Sequence, residues 1–271
     1  MRISRYMAPD FARTEPERVP VALTIAGSDS GGGAGIEADL KTFTSLGVFG
    51  AVALTAVTAQ NTLGVPGVSV LDPGFVVAQL DAVLTDLQVG AAKTGMLATA
   101  AIIDAVADAI QRHSVRNLVV DPVMVSKTRA PLLAPDARDA LVRRLLPLAT
   151  VITPNIPEAE AILGVAIKST SDARLAAQRL KDMGPEWVVV KGGHLQDQSE
   201  DSVDIAFNGE ELIELCARRY ATVNTHGTGC TYSAAIAAYL ALGLEVPDAL
   251  RAAKGYITWA VANSLSFGHG C

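Results

Sequence analysis

The stretch Thr225-His226-Gly227-Thr228-Gly229-Cys230 joins two glycines and a thiol to the start of an apolar run reaching Leu242. Glycines in a tight turn let successive backbone N–H groups point at one spot. A helix opening there adds its own unpaired N–H groups and a partial positive charge. Such a nest suits phosphate. A thiol in the first helical turn is expected to be acidic, because the same field favours the thiolate. Gly227, Gly229 and Cys230 thus read as an anion cradle beside an acidic thiol, which points to phosphoryl transfer. A turn used only for packing remains open on these six residues alone.

Four other places carry chemistry-bearing residues. Gly27-Ser28-Asp29-Ser30-Gly31-Gly32-Gly33-Ala34-Gly35 is rich in glycine but is not a P-loop, since no Gly-Lys-Ser/Thr follows. Ile36 stands where the dinucleotide fingerprint wants glycine. It is either a loop that lets a ligand approach the backbone or a plain strand–helix connection. Asp121 follows an apolar run and suits a metal or phosphate-side carboxylate, or a turn cap. Asn155 and Glu158 are three apart across a helix start. That spacing fits oxygen ligands around Mg²⁺ and equally a capping box. Lys191, before Gly192-Gly193, is placed to neutralise a polyphosphate as a point charge, or to be solvated.

These positions become one site only if strands deliver them to the same end of a sheet. Apolar runs predict strands at 21–26, 50–59, 91–95, 117–121, 150–153 and 187–191. Helical patterns fall at 34–46, 73–87, 99–113, 135–146, 157–163, 172–183, 229–242 and 247–265. Asp72-Pro73 reads as a helix cap followed by proline at the first position. Asn208-Gly209, between 202–207 and 211–216, signals an antiparallel hairpin. Alternation of this kind predicts an α/β fold: a mostly parallel central sheet with helices on both faces and a small antiparallel hairpin at its edge. In open parallel sheets ligands bind beyond the carboxyl ends of the strands. Gly27, Gln60, Met96, Asp121, Asn155, Glu158 and Lys191 all lie there.

Composition narrows the class. The chain has 271 residues, of which 50% are hydrophobic and 5% aromatic, enough for one large core. With no linker or repeat visible, residues 21–271 read as one domain and 1–20 as a flexible leader without a secretory apolar core. The net charge of −6 and the lack of a basic stripe argue against a nucleic-acid partner. No apolar run suits a membrane span. Three widely spaced cysteines fit a reducing cytoplasm rather than a disulfide framework.

Taken in order, 24–36, Ala59-Gln60-Asn61-Thr62, Lys93-Thr94-Gly95-Met96-Leu97, Asp121-Pro122-Val123-Met124, Thr153-Pro154-Asn155, Lys191-Gly192-Gly193-His194 and Thr225–Thr231 form a distinctive set. The set closely resembles the hydroxymethylpyrimidine and phosphomethylpyrimidine kinases of thiamine biosynthesis, within the ribokinase-like superfamily. The likeness runs from about Val21 to Phe267. It implies a three-layer α/β/α sandwich, ATP and Mg²⁺ as cofactors, and a homodimer. It also implies two successive phosphorylations of 4-amino-5-hydroxymethyl-2-methylpyrimidine, to the monophosphate and then the diphosphate. Gln60 would pair with the aminopyrimidine edge, and Gly27, Met96 and Val123 would line its pocket. Asp121, Glu158, Lys191 and Thr225 would serve ATP, with Asp121 and Glu158 on the metal. Gly227 and Gly229 would form the anion hole. Cys230 would sit at the acceptor oxygen, where sugar kinases of the superfamily carry aspartate. Ser126–Ala130 departs from the glycine-rich flap of that family, and the chain ends sooner, at Cys271. Vitamin B6 kinases share the cysteine-type hole, and a non-catalytic pyrimidine-binding protein is the reading from another class.

Overall fold

A computed structural model describes residues 19–124, 132–134, 136–194 and 201–270. The leader short of Val19, the Ser126–Ala130 segment and Cys271 lie outside them.

The central strands are apolar on both sides. In β1 (Val21–Asp29), Leu23 and Ile25 face one core and Ala22 the other. In β5 (Leu118–Val120), Val119 faces opposite to Leu118 and Val120. Strands buried on both faces read as unbroken apolar runs, as these do. Among the described residues nine strands form one sheet in the order β3-β2-β1-β4-β5-β6-β7-β8-β9. β2 is Phe49–Asn61, β4 Val89–Thr94, β6 Val151–Ile152 and β7 Trp187–Val190. From β2 to β7 every neighbouring pair is parallel.

Helices cover both faces. α1 (Gly35–Ser45), α7 (Thr228–Ala241) and α8 (Val246–Ala262) enclose the core around Phe43, Ile236 and Leu250. α2 (Pro73–Asp86), α3 (Ala100–Arg112), α4 (Ala137–Ala140), α5 (Ile156–Leu163) and α6 (Thr170–Lys181) enclose the core around Leu80, Ile103 and Leu180. The architecture is the expected three-layer α/β/α sandwich.

Two elements differ from expectation. The sheet is antiparallel at both edges rather than one. β8 (Asp201–Phe207) and β9 (Leu212–Arg218) form the expected hairpin. β3 (Gly64–Val70) pairs antiparallel with β2 at the other edge. β3 gives no strand signal in the sequence because it is largely exposed, carries Pro66 and two glycines, and so lacks the apolar run of a central strand. The predicted helix over 135–146 is only one α-helical turn. It passes into a π-helical turn at Leu141–Leu145 and a 3-10 turn at Leu146–Leu148. Pro147 has no N–H to continue the ladder.

β1 runs three residues beyond its predicted end, to Asp29. β1 and β4 are the neighbours at which the chain reverses its direction of travel across the sheet. The crevice outside their carboxyl ends is where such sheets hold ligands.

Candidate active site

Gly227 caps α7 in the left-handed region, with φ 75°. A Cβ there would stand 1.8 Å from the Gly33 carbonyl oxygen. Only glycine lets the two glycine loops touch. Thr231 N–H closes the first helical bond to the Gly227 carbonyl at 2.9 Å, which leaves the Gly229 and Cys230 N–H groups at the helix mouth. Thr225 precedes the cap, and its carbonyl accepts from Thr228 Oγ1 at 2.9 Å.

Cys230 is half-buried, and Gly35 N–H, at the start of α1, donates to its sulfur. Two helix N-termini therefore face this thiol. The expected acidity is nonetheless reversed: burial pushes the Cys230 thiol up to about 11, Lys93 opposes that, and Asp39 and Asp121 add to it. Loss of hydration of a thiolate outweighs the helix field in this setting. The free protein holds a neutral thiol at pH 7.

Behind the cradle sits a charged cluster on the strand ends. Lys191 Nζ donates to Asp121 Oδ1 at 2.9 Å. Asp121 also accepts from Thr153 Oγ1 at 3.2 Å, and Ser233 Oγ lies 3.3 Å from its other oxygen. A Cβ on Gly229 would stand 3.5 Å from Lys191 Nζ and 3.8 Å from Asp121 Oδ2, so the cradle rests on this pair. Burial works against the Asp121 carboxylate, but Lys191 and Lys93 hold it below its ordinary value. Glu158 and Asn155 form a full capping box, with Asn155 N–H donating to Glu158 Oε2 at 2.8 Å and Glu158 N–H to Asn155 Oδ1 at 2.9 Å. Burial raises Glu158 to about 7 against the pull of Lys191, and Asp121 adds to the rise. Capping and site membership therefore coincide in Glu158.

Across the mouth, a Cβ on Gly27 would lie 3.2 Å from Met96 Sδ. Met96, Ala56 and Ala98 form a small apolar cluster against which Val123 packs. Gln60 is tied to the glycine loop through its backbone: Ser30 Oγ donates to its carbonyl and accepts from its N–H, both at 2.8 Å. The predicted pocket residues thus fall into one wall.

Three further arrangements were given no role by the sequence. Lys93 Nζ donates to both oxygens of Asp39, at 3.0 and 2.9 Å, with both side chains 0% exposed. Thr24 Oγ1 completes the group by donating to Asp39 at 2.6 Å. Burial alone would lower Lys93, but Asp39, then Cys230 and Asp121, raise it. Asp29 accepts from the N–H groups of Gly31, Gly33 and Ala34 at 2.8, 3.1 and 2.9 Å and meets His226 Nε2 at 2.9 Å. Asp204 accepts from Gly192 N–H at 2.9 Å and from Lys254 Nζ at 2.7 Å, fixing the turn after Lys191. A charged residue inside an apolar strand, as Lys93 is, was the available signal. A separate surface cleft of about 290 Å³, lined by Arg138, Arg143 and Gly164 among others, contains none of the site residues.

An α/β/α sandwich whose strand ends gather a helix-capped anion cradle, a buried lysine–carboxylate cluster and an apolar wall defines a small-molecule kinase of the ribokinase-like kind. Residues 29–271 match the family model described as phosphomethylpyrimidine kinase, and the chain belongs to that family. It is 50% identical over 254 residues to the hydroxymethylpyrimidine/phosphomethylpyrimidine kinase of Haemophilus influenzae, covering 93% of this chain and 94% of that one. It is also 50% identical to the thiamine biosynthesis bifunctional protein ThiED of Geobacter sulfurreducens, over 96% of this chain but 53% of that longer protein. The ADP complex of Bacillus subtilis pyridoxal kinase superposes with a TM-score of 0.85 at 41% identity, covering 92% of this chain and 94% of that one.

Proposed function

We infer that the protein uses ATP to phosphorylate the hydroxymethyl group of 4-amino-5-hydroxymethyl-2-methylpyrimidine, and then the resulting monophosphate to the diphosphate, in thiamine biosynthesis. The observation that supports this is the run of contacts that joins the Gly27–Met96–Val123 wall, and Gln60 through His226, to the glycine loop touching the Gly227–Cys230 cradle. The wall would hold the ring and Gln60 its amino edge. The N–H groups of Gly229 and Cys230 would receive the transferred phosphoryl group, whose negative charge they stabilise. Lys191, with Thr225 two residues before Gly227, would serve the nucleotide phosphates.

Mg²⁺ fits the Asp121–Glu158 pair: both carboxylates are buried and raise each other's cost of ionisation, the single Lys191 ammonium beside them offsets only part of it, and Mg²⁺ commonly takes one or two carboxylates plus substrate phosphates. Among the described residues no third His, Cys, Asp or Glu joins them. Bound there, the ion would neutralise charge on the phosphates. Once its own proton has passed to solvent, the Cys230 thiolate would take the hydroxymethyl proton late in the first transfer. The second acceptor is already an anion and needs no such group.

Pyridoxal phosphorylation is the second reading, favoured by the likeness to the Bacillus subtilis enzyme. Gln60 favours the pyrimidine, because its amide can pair with an amino group and ring nitrogen together. Steady-state kinetics with both acceptors separates them: the pyrimidine is expected to have the higher kcat/KM, by at least about tenfold for one well-made hydrogen bond. A higher value for pyridoxal would overturn the assignment, and binding of the pyrimidine without ATP consumption would point to a sensor. We further propose a homodimer formed along the β3 edge. We also propose that it works in the cytoplasm, as its bacterial relatives' kinase chemistry on small metabolites suggests; among the described residues no helix is long and apolar enough to cross a membrane.

A further inference from the structure

The side chain of Gln60 lies between Thr58 and His226. Its amide nitrogen is placed 3.4 Å from His226 Nε2 and its amide oxygen 3.2 Å from Thr58 Oγ1. Amide oxygen and nitrogen are told apart by their partners, not by shape. Each partner here is already committed. His226 Nε2 sits 2.9 Å from Asp29 Oδ2. Asp29 is a carboxylate that also accepts three backbone N–H groups, and it can only accept. His226 Nε2 must therefore carry a hydrogen. Thr58 has one hydroxyl hydrogen, and the Ser28 carbonyl takes it at 2.9 Å. Thr58 Oγ1 can then only accept from Gln60. With nitrogen toward His226, the amide would face a donor with a donor and an acceptor with an acceptor. One half-turn of the amide resolves both conflicts.

We propose that His226 and Thr58 are positioning residues that lock Gln60 with its oxygen toward His226 and its nitrogen toward Thr58, and so decide which way round the substrate ring binds. The consequence follows from the ring. In the pyrimidine the 4-amino group lies between ring nitrogen 3 and the carbon bearing the hydroxymethyl group. An oxygen on the His226 side draws the amino group to that side, and the nitrogen on the Thr58 side donates to ring nitrogen 3. The hydroxymethyl arm then points past His226 toward its chain neighbour Gly227 and the cradle. The opposite amide polarity would turn the arm away and bring the 2-methyl group round. His226 thereby ties the anion cradle to the choice of ring orientation. The Asp29 carboxylate, held by the glycine loop, sets the histidine tautomer.

The inference rests on Gln60 reading the aminopyrimidine edge, so its test has an arm that needs no substrate. Neutron diffraction from a deuterated crystal of the ligand-free protein locates the relevant hydrogens. Deuterons from Gln60 Nε2 toward Thr58 Oγ1, with a deuteron on His226 Nε2, are expected. Gln60 deuterons aimed at a bare His226 Nε2 would overturn the proposal. The second arm is kinetic, with 5-hydroxymethyl-2-methylpyrimidine as the analogue lacking the amino group. Thr58→Val and His226→Ala should each lower kcat/KM for the natural pyrimidine about tenfold, with kcat itself falling because part of the bound ring lies the wrong way round, whereas a rise in KM alone would contradict the orienting role. Each should narrow discrimination against the analogue by a similar factor. Thr58→Val lies outside the cradle turn, so a purely structural role for His226 would leave its discrimination intact, and that result would also contradict the proposal.

Discussion

Cys230 receives a hydrogen bond from the first N–H of α1 and stands in the first turn of α7, yet burial keeps its thiol protonated near neutral pH. A thiol in that state does not attack. Only its thiolate is a base, so the thiol first loses its own proton to solvent, with Lys93 close enough to favour the charge, and then takes the proton of the acceptor oxygen as that oxygen bonds to phosphorus. Cys230→Ala is therefore expected to slow the first phosphorylation about 10²-fold, the lower range for a positioned acid–base group, and the second less than tenfold. Single-turnover rates on each acceptor measure this, and equal losses would remove the proton-accepting role. Asp29 makes a different prediction. Burial works against its carboxylate, but the hydrogen bonds from His226, Gly31 and Ala34 bring it below its ordinary 3.8. The unfolded chain then binds the proton more readily than the folded one. The stability Asp29 contributes is present above pH 3.8 and is lost as pH falls through the lower folded value. Urea titrations from pH 6 to 3 should show Asp29→Asn with a shallower acid limb and a loss of about 1–3 kcal/mol at pH 6.

At the scale of elements, two glycine turns and one buried ion pair set the site. Gly35 has φ 57°, and a Cβ there would meet the Gly27 carbonyl at 2.3 Å, so α1 can start hard against β1 only with glycine. Lys93 on β4 and Asp39 on α1 clamp these elements beneath Cys230. Breaking a buried pair leaves one bare charge and costs about 3–5 kcal/mol, so Lys93→Met should lower unfolding stability by that much. Adding Asp39→Leu should restore part of it, whereas an additive double mutant would show that the two do not act as a pair. The alternation of elements and the positions of Met96, Asp121 and Lys191 just past strand ends were legible because buried parallel strands are mostly apolar and end where polar residues begin; Gly27 and Gln60 instead lie inside β1 and β2, which run on to Asp29 and Asn61, and Glu158 lies in the first turn of α5. β3 was not, because an exposed edge strand carries no such contrast. Nor was the raised thiol of Cys230. A helix terminus is visible in sequence, but the desolvation that outweighs it depends on what packs around the sulfur. The Asp29–His226 contact joins residues nearly two hundred positions apart, and no local pattern announces it.

For the molecule as a whole, the sheet order places β1 and β4 side by side next to the central β5 and leaves β3 at an open edge. Val68 and Val70 on β3 are 44% and 43% exposed, and Leu63 in the adjoining turn 63%. Unpaired edges with apolar side chains invite a second chain. Sedimentation velocity is expected to report a dimer, and Val68→Lys should shift it toward monomer; a wild-type monomer at micromolar concentration would refute the edge interface. One three-layer scaffold must carry both transfers at a single site. A product-resolved time course with ATP, Mg²⁺ and 4-amino-5-hydroxymethyl-2-methylpyrimidine tests this most directly. The monophosphate should rise and then drain into the diphosphate with the wild-type protein alone. A reaction that yields neither product, or that stops at the monophosphate, would contradict it.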